Sequence, residues 1–165
     1  LRIRSDGLIN HLFFGSSAKN IYNRFRYYLS SKINGASVNY KERGYHLFNL
    51  FAFARLYQYF PEHEFFTSEK FLKILKVFDY DFVKRLYEEK NKYAIYYNNP
   101  LFELSYIYKV FGSSFELNFS DADLAKLVEL DCSWNDSVQA FTNNSQDPLT
   151  FMSRAYELSY CCNYE

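Results

Sequence analysis

Three similar segments recur at constant spacing in this chain of 165 residues. An aromatic residue, then Asn or Glu, then Leu occurs at Phe48-Asn49-Leu50, at Phe102-Glu103-Leu104 and at Tyr156-Glu157-Leu158. A fixed period of this kind is typical of repeat architectures, in which each repeat is one supersecondary unit. We therefore expect a single domain over residues 1–165, with repeats at roughly 10–60, 66–113 and 119–165.

Each recurring segment reads as part of a buried helix. The stretch "YHLFNLFAFARLYQYF" is apolar on nearly every side, a pattern typical of a helix enclosed by protein. Asn99 with Pro100 predicts the start of the second such helix, and Gly112 predicts its end. Asp147 with Pro148 predicts a start for the third. We expect inner helices at 45–59, 99–111 and 148–162.

The segments that precede these helices are apolar on one face only. Such periodicity predicts amphipathic outer helices at 17–31, 69–89 and 121–141. The residues expected to face inward are Ile21, Phe25, Tyr28 and Leu29 in the first, Phe71, Leu75, Phe78, Phe82 and Leu86 in the second, and Leu124, Leu127, Trp134, Val138 and Phe141 in the third. Strand signals are weak, although 92–99 reads as a short extended lead-in. The predicted fold is all-α, with three helical hairpins in an arc.

Charge and motifs exclude several classes of function. Nineteen basic and nineteen acidic residues cancel, which argues against bulk electrostatic binding to nucleic acid or to anionic membranes. No apolar run approaches the roughly 20 residues of a membrane span. The three cysteines and three histidines show no metal-ligand spacing. Phosphate-binding glycine motifs are missing as well, so we expect no metal and no nucleotide cofactor.

Aromatic residues make up 22% of the chain, with 17 Tyr and 18 Phe. Since a buried Tyr hydroxyl needs a partner, many of these rings are expected at the edge of the core or along a groove. The codon usage of an AT-rich genome is an equally simple source of this composition.

Helical hairpins of this length, with an apolar inner and an amphipathic outer helix, resemble the α/α-toroid enzymes. That group contains six-hairpin glycosidases, polysaccharide lyases and N-acylglucosamine 2-epimerase-like proteins, and "GYHLFNLFAFARLYQYF" is similar in texture to their inner helices. The resemblance implies a partial toroid and a role with carbohydrates. It covers the hairpin pattern without a catalytic motif, and such toroids close with about six hairpins where this chain supplies three.

The recurring polar position, occupied by Asn49, Glu103 and Glu157, is the best candidate site. Equivalent positions on successive inner helices of an arc face a common axis, where two carboxylates can act as general acid and base. Each is alternatively a buried polar group satisfied by its neighbours, and Arg154 is a natural i,i+3 partner for Glu157. His46 is a third candidate catalytic group, at the mouth of a cleft, or else a core histidine bonded to a backbone carbonyl.

Further residues are candidates for contacts with a ligand. We assign substrate binding to a set of polar and aromatic residues on the inner helices: Asn49, Arg154, Tyr45, Tyr106 and Tyr160. Asp6 and His11, in "SDGLINH", belong either to a substrate loop or to a turn that precedes a helix.

Two functions remain open from the sequence. One is a helical-repeat interaction module that presents an aromatic groove to a protein partner. The alternative is a carbohydrate-active enzyme or saccharide-binding protein that uses Glu103, Glu157 and His46. In either case we expect the chain to form a homodimer or to be part of a longer chain, because neither terminal helix is polar. The N-terminus does not resemble a signal peptide, which favours a cytoplasmic location.

Overall fold

Helices dominate the computed structural model of the chain, and the predicted all-α class is confirmed. The structure describes residues 2–10, 20–23, 25, 26, 29, 39–95, 100–112, 122, 134–137, 139–141, 152–154 and 156. The helices are α1 (Tyr40–Gly44), α2 (His46–Tyr59), a 3₁₀ helix (Glu64–Thr67), α3 (Glu69–Leu75), α4 (Tyr80–Glu88), α5 (Lys92–Ile95) and α6 (Pro100–Phe111). Residues 20–23, 25, 26, 29 and 152–154 are also helical.

The two described inner helices, α2 and α6, pack against each other more extensively than any other pair of described elements. Leu47 and Leu50 on α2 and Leu104 and Ile107 on α6 belong to the core and are each at most 1% exposed. Helix α6 begins at Pro100 and ends before Gly112, as predicted, and most of its residues are buried. The arrangement of three hairpins in an arc stays a prediction, because the third hairpin lies largely outside the described residues.

Aromatic rings fill the space between α2, α3, α6 and the 3₁₀ helix. Phe71 lies at the centre and is completely buried. Its ring centroid is 5.1 Å from that of Phe66, at nearly right angles, and 5.3 Å from that of Phe111. Tyr57 contacts the same two rings, at 5.1 and 5.4 Å. Edge-to-face contacts of this kind add stability beyond burial of area, so much of the aromatic composition serves the core.

Helix α2 has nearly the predicted bounds, but it is less buried than predicted. Its inner face is enclosed, whereas Phe48, Leu56 and Tyr59 are 40%, 49% and 69% exposed. The prediction that this helix is buried on most sides is therefore wrong. A helix that is apolar on all sides is fully buried only if other helices or loops pack against every side of it.

The outer helix predicted at 69–89 is two helices. Residues 76–79 separate α3 from α4, and the Asp79 carboxylate accepts a hydrogen bond of 2.7 Å from the backbone N–H of Phe82. This N-cap starts α4 anew. The predicted inward-facing residues Phe71, Leu75, Phe78, Phe82 and Leu86 are nevertheless all buried.

Three further predictions need correction. Residues 92–95 are helical rather than extended. The predicted helix 121–141 does not reach its end, because Trp134–Asn135 (β1) pairs antiparallel with Ala140–Phe141 (β2). Ile21, Phe25 and Leu29 were expected to face inward, yet they are 64%, 60% and 42% exposed. Within 148–162, residues 152–154 are helical, and most of that range lies outside the described residues.

Candidate functional site

Glu103 and Arg154, two predicted site residues, form an ion pair in the interior. Arg154 Nη2 donates to Glu103 Oε1 at 2.9 Å, and the two side chains are 13% and 1% exposed. The Arg154 guanidinium also lies over the ring of Phe48, 5.0 Å from its centroid. A carboxylate held in this way links α6 to the segment around residue 154. This burial favours the structural interpretation of Glu103 over a catalytic one.

His46 lies in the core rather than at the mouth of a cleft. The side chain is fully buried, and its Nε2 is 3.1 Å from the backbone carbonyl oxygen of Ile74. Because a carbonyl can only accept, Nε2 carries the proton and donates. Burial lowers the pKa of His46 to about 4, against the opposing effect of that hydrogen bond. The predicted position at a cleft is wrong, and the alternative of a core histidine is confirmed.

Of the remaining predicted site residues, three are described by the structure and two are not. Tyr106 is buried, with its ring 5.2 Å from that of Phe51, and Asn49 is half-buried on α2. Tyr45 is half-buried between α1 and α2. Glu157 and Tyr160 lie outside the described residues, so the expected convergence of Glu103 with Glu157 stays a prediction.

A cleft of about 340 Å³ opens beside α4, and we call it the α4 cleft. It lies between the N-terminal loop, α1 with the residue before it, and the first two turns of α4. Its polar lining consists of Asp6, Asn39, Arg43, Asp79, Asp81 and Arg85, and its apolar wall of Leu8, Val77 and Phe82. The ring of Phe82 separates the cleft from His46, with 5.4 Å between the two ring centroids.

Asp6 is fixed by hydrogen bonds on several sides. Its carboxylate accepts from the backbone N–H of Leu8 at 3.2 Å and from Asn39 Nδ2 at 3.1 Å, and it pairs with Arg4 at 3.3 Å. Gly7 makes this turn possible, since its φ of +87° is readily adopted by glycine. The loop therefore presents Asp6 to the cleft in one orientation.

Charged groups of both signs face the cleft from the helices. Arg43 donates from Nη2 to the carboxylate of Glu89, which holds the guanidinium at the rim. Among the described residues, the side chains of Asp81 and Arg85 form no hydrogen bond or ion pair. The Asn39 Oδ1 atom is likewise buried without a hydrogen-bond partner in that part of the chain. The cleft thus offers donors and acceptors that a polar ligand can use.

Glu42, which precedes the cleft residue Arg43 on α1, is buried, with 3% of its surface exposed. Burial raises the pKa of its carboxyl, against the opposing effects of its own backbone hydrogen bond and of Arg4. Among the described residues, no group of three His, Cys, Asp or Glu is arranged to hold a metal ion.

Sequence reasoning identified Asp6 in a possible substrate loop, and the structure places Asp6 in the α4 cleft. His11, its companion in that hypothesis, lies outside the described residues. The cleft residues on α1 and α4 were missed because charges on amphipathic helices look like ordinary solvated faces. Long-range contacts such as that between Asn39 and Asp6, 33 residues apart, bring them together.

Comparison with known proteins gives one informative similarity. The chain is 25% identical over 147 residues to the archaeal glycosylation protein Q of Haloferax volcanii. The match covers 88% of this chain and 38% of that protein, so the chain spans about two fifths of the relative's length. No family profile and no solved structure matches the chain. Within the described residues, no helix is both long enough and apolar enough to cross a membrane.

Proposed function

We propose that this chain takes part in glycosylation and that its α4 cleft binds a saccharide unit. The observation that carries the proposal is the similarity to archaeal glycosylation protein Q, which extends along 88% of the chain. The carbohydrate role implied by the α/α-toroid resemblance agrees with it on independent grounds.

The chemistry of the cleft supports a saccharide ligand. A sugar presents hydroxyl groups that both donate and accept hydrogen bonds, and the α4 cleft supplies carboxylates, an amide and guanidinium groups. Its volume of about 340 Å³ lies within the usual range for small-molecule sites. The ring of Phe82 adds an apolar wall against which the carbon face of a sugar can pack.

An enzymatic role that uses Glu103, Glu157 and His46 receives less support from the geometry. His46 is fully enclosed, and Glu103 has only 1% of its side chain exposed. A general acid or base must come within hydrogen-bond reach of its substrate. We therefore place the saccharide in the α4 cleft rather than at the α2–α6 interface.

The test compares two neighbouring cations on α4. Arg85 lines the cleft, whereas Lys84 pairs with Glu88 on the exposed face of the same helix at 3.6 Å. Because hydrogen bonds to charged groups are worth about 1.5–3 kcal/mol, Arg85→Gln should weaken saccharide binding about tenfold or more. The measurement is titration calorimetry with a panel of neutral and acidic monosaccharides. Lys84→Gln removes the same charge and should leave the affinity at the wild-type value.

An interaction module remains the second candidate, favoured by the exposed face of α2. Leu56 and Tyr59 in its C-terminal half and Phe60, the residue after it, are 49%, 69% and 59% exposed. Clustered apolar side chains at the surface are a feature of sites that contact another protein. The same titration separates the two functions: a pure interaction module binds none of the sugars, and such a result would overturn the saccharide proposal.

A further inference from the structure

Four aromatic rings form a continuous row along the edge of α1, α2 and α5. Tyr40 contacts Tyr93 at 6.1 Å between ring centroids, Tyr93 contacts Tyr45 at 5.3 Å, and Tyr45 contacts Phe48 at 6.4 Å. We call this row the aromatic strip. Phe48 is 40% exposed and the three tyrosines are half-buried, so the strip reaches the surface.

Cations accompany the rings along the strip. Lys41 Nζ lies 5.9 Å from the centroid of Tyr45 and 5.7 Å from that of Tyr93, and Lys92 Nζ lies 5.2 Å from that of Tyr93. Neither lysine forms an ion pair with a carboxylate in the part of the chain that the structure describes. In the described part of the chain, the two ammonium groups lie against ring faces, which bind a cation weakly at exposed sites.

The strip and the α4 cleft flank the same short helix. Asn39, which precedes α1, and Arg43, near its end, line the cleft. Tyr40, Lys41 and Tyr45, which are interspersed with these two residues in the sequence, belong to the strip. A ligand longer than one sugar unit could then occupy the cleft and continue across α1 onto the strip.

We infer that the aromatic strip binds further units of an acidic saccharide whose end occupies the α4 cleft; this inference rests on the proposed function. Aromatic rings pack against the carbon faces of sugars, and the two ammonium groups match carboxylates or other acidic groups on them. A neutral sugar that packs on the rings would displace the lysine ammonium groups from the ring faces and offer them no negative charge in return. An acidic sugar keeps each ammonium paired, which makes the ligand's charge part of the recognition.

The experiment measures the affinity of four probes by titration calorimetry: galacturonic acid, tetragalacturonic acid, glucose and maltotetraose. The wild-type protein should bind tetragalacturonic acid at least tenfold more tightly than the acidic monomer. Maltotetraose should show no such gain over glucose.

Removal of the two ammonium groups isolates the strip. The double variant K41Q/K92Q should lose roughly five- to tenfold in affinity for tetragalacturonic acid, as expected for two exposed ion pairs. Its affinity for the acidic monomer should not change, because neither lysine lines the cleft. The matched control K70Q/K84Q removes two exposed lysines elsewhere and should behave as wild type. Thermal melts check that each variant is folded.

The outcomes separate the inference from the proposed function. A monomer that binds and is sensitive to Arg85→Gln, with no gain for the tetramer, supports the cleft and overturns the strip. An equal loss in K41Q/K92Q and in K70Q/K84Q also overturns the strip, since the effect would then be net charge alone. If neither acidic probe binds but a neutral sugar does, the inference about the strip is wrong and the cleft proposal stands. If none of the four probes binds, both are wrong.

Discussion

At the scale of single residues, the imidazole of His46 makes the stability of this protein depend on pH. Its pKa is about 4 in the folded protein, compared with an ordinary value of 6.5. Between these values the unfolded chain binds a proton that the folded protein does not, so stability is present above pH 6.5 and is lost as the pH falls toward 4. The difference corresponds to about 3 kcal/mol. His46→Gln, which can still donate to the Ile74 carbonyl, should flatten this dependence.

Urea unfolding at several pH values between 4 and 7.5 checks the prediction. His63→Gln is the control, because that histidine is exposed on the loop after α2. The control should retain most of the wild-type slope. A wild-type protein whose stability is constant over this range, or a His46→Gln variant with an undiminished slope, would contradict the assignment of the buried neutral imidazole.

At the scale of elements, Asn91 joins α1 to α5. It is fully buried; its Nδ2 donates to the backbone carbonyl of Tyr40 at 2.7 Å, and its Oδ1 accepts from the backbone N–H of Tyr93 at 3.1 Å. The side chain therefore caps the N-terminus of α5 and donates a hydrogen bond to a backbone carbonyl of α1. Asn91→Ala should cost about 2–3 kcal/mol, since it removes a cap and the part-buried hydrogen bond to the Tyr40 carbonyl. Ser68→Ala removes the cap of α3 together with the hydrogen bond that the Ser68 hydroxyl donates to the Phe65 carbonyl, and it should cost about 1 kcal/mol.

Thermal or chemical unfolding of both variants gives the comparison. An Asn91→Ala cost no larger than that of Ser68→Ala would mean that the bond to Tyr40 contributes little. The junction also supports the aromatic strip, because Tyr40 and Tyr93 lie on either side of it.

The sequence predicts an element well when neighbouring residues decide it and poorly when contacts between distant segments decide it. Pro100 and Gly112 delimit α6 correctly, because capping is decided by neighbouring residues. The break between α3 and α4 was missed, although Asp79 is a good N-cap, because the apolar period continues through Phe78 and Phe82. The α4 cleft was reached only through Asp6, since its other walls come from segments more than 30 residues away. Burial of Glu103 and His46 likewise depends on packing that no local pattern shows.

At the scale of the whole molecule, the Glu103–Arg154 pair connects positions 51 residues apart. Removal of one member of a buried pair leaves the other charge poorly compensated. Glu103→Gln should therefore lower stability by about 2–3 kcal/mol, or several degrees in Tm. Glu88→Gln makes the same change in an exposed pair and should cost less than about 0.5 kcal/mol.

Calorimetric melts of the two variants, together with saccharide titrations, decide between the interpretations of Glu103. A stable Glu103→Gln variant that no longer binds sugar would favour the predicted catalytic or binding role. A destabilised variant that retains sugar binding would establish the pair as structural.

The turn at Gly7 also limits how this gene can change. A Cβ atom at that position would lie 2.4 Å from the backbone oxygen of Lys73 and 2.5 Å from Val77. Every amino acid that a single-base change can substitute for glycine carries a Cβ, so each missense mutation in this codon pushes the loop away from α3. Asp6 would move with it, and the α4 cleft would lose one wall. We therefore expect natural variation to be purged from codon 7 more strictly than from the exposed codons around it.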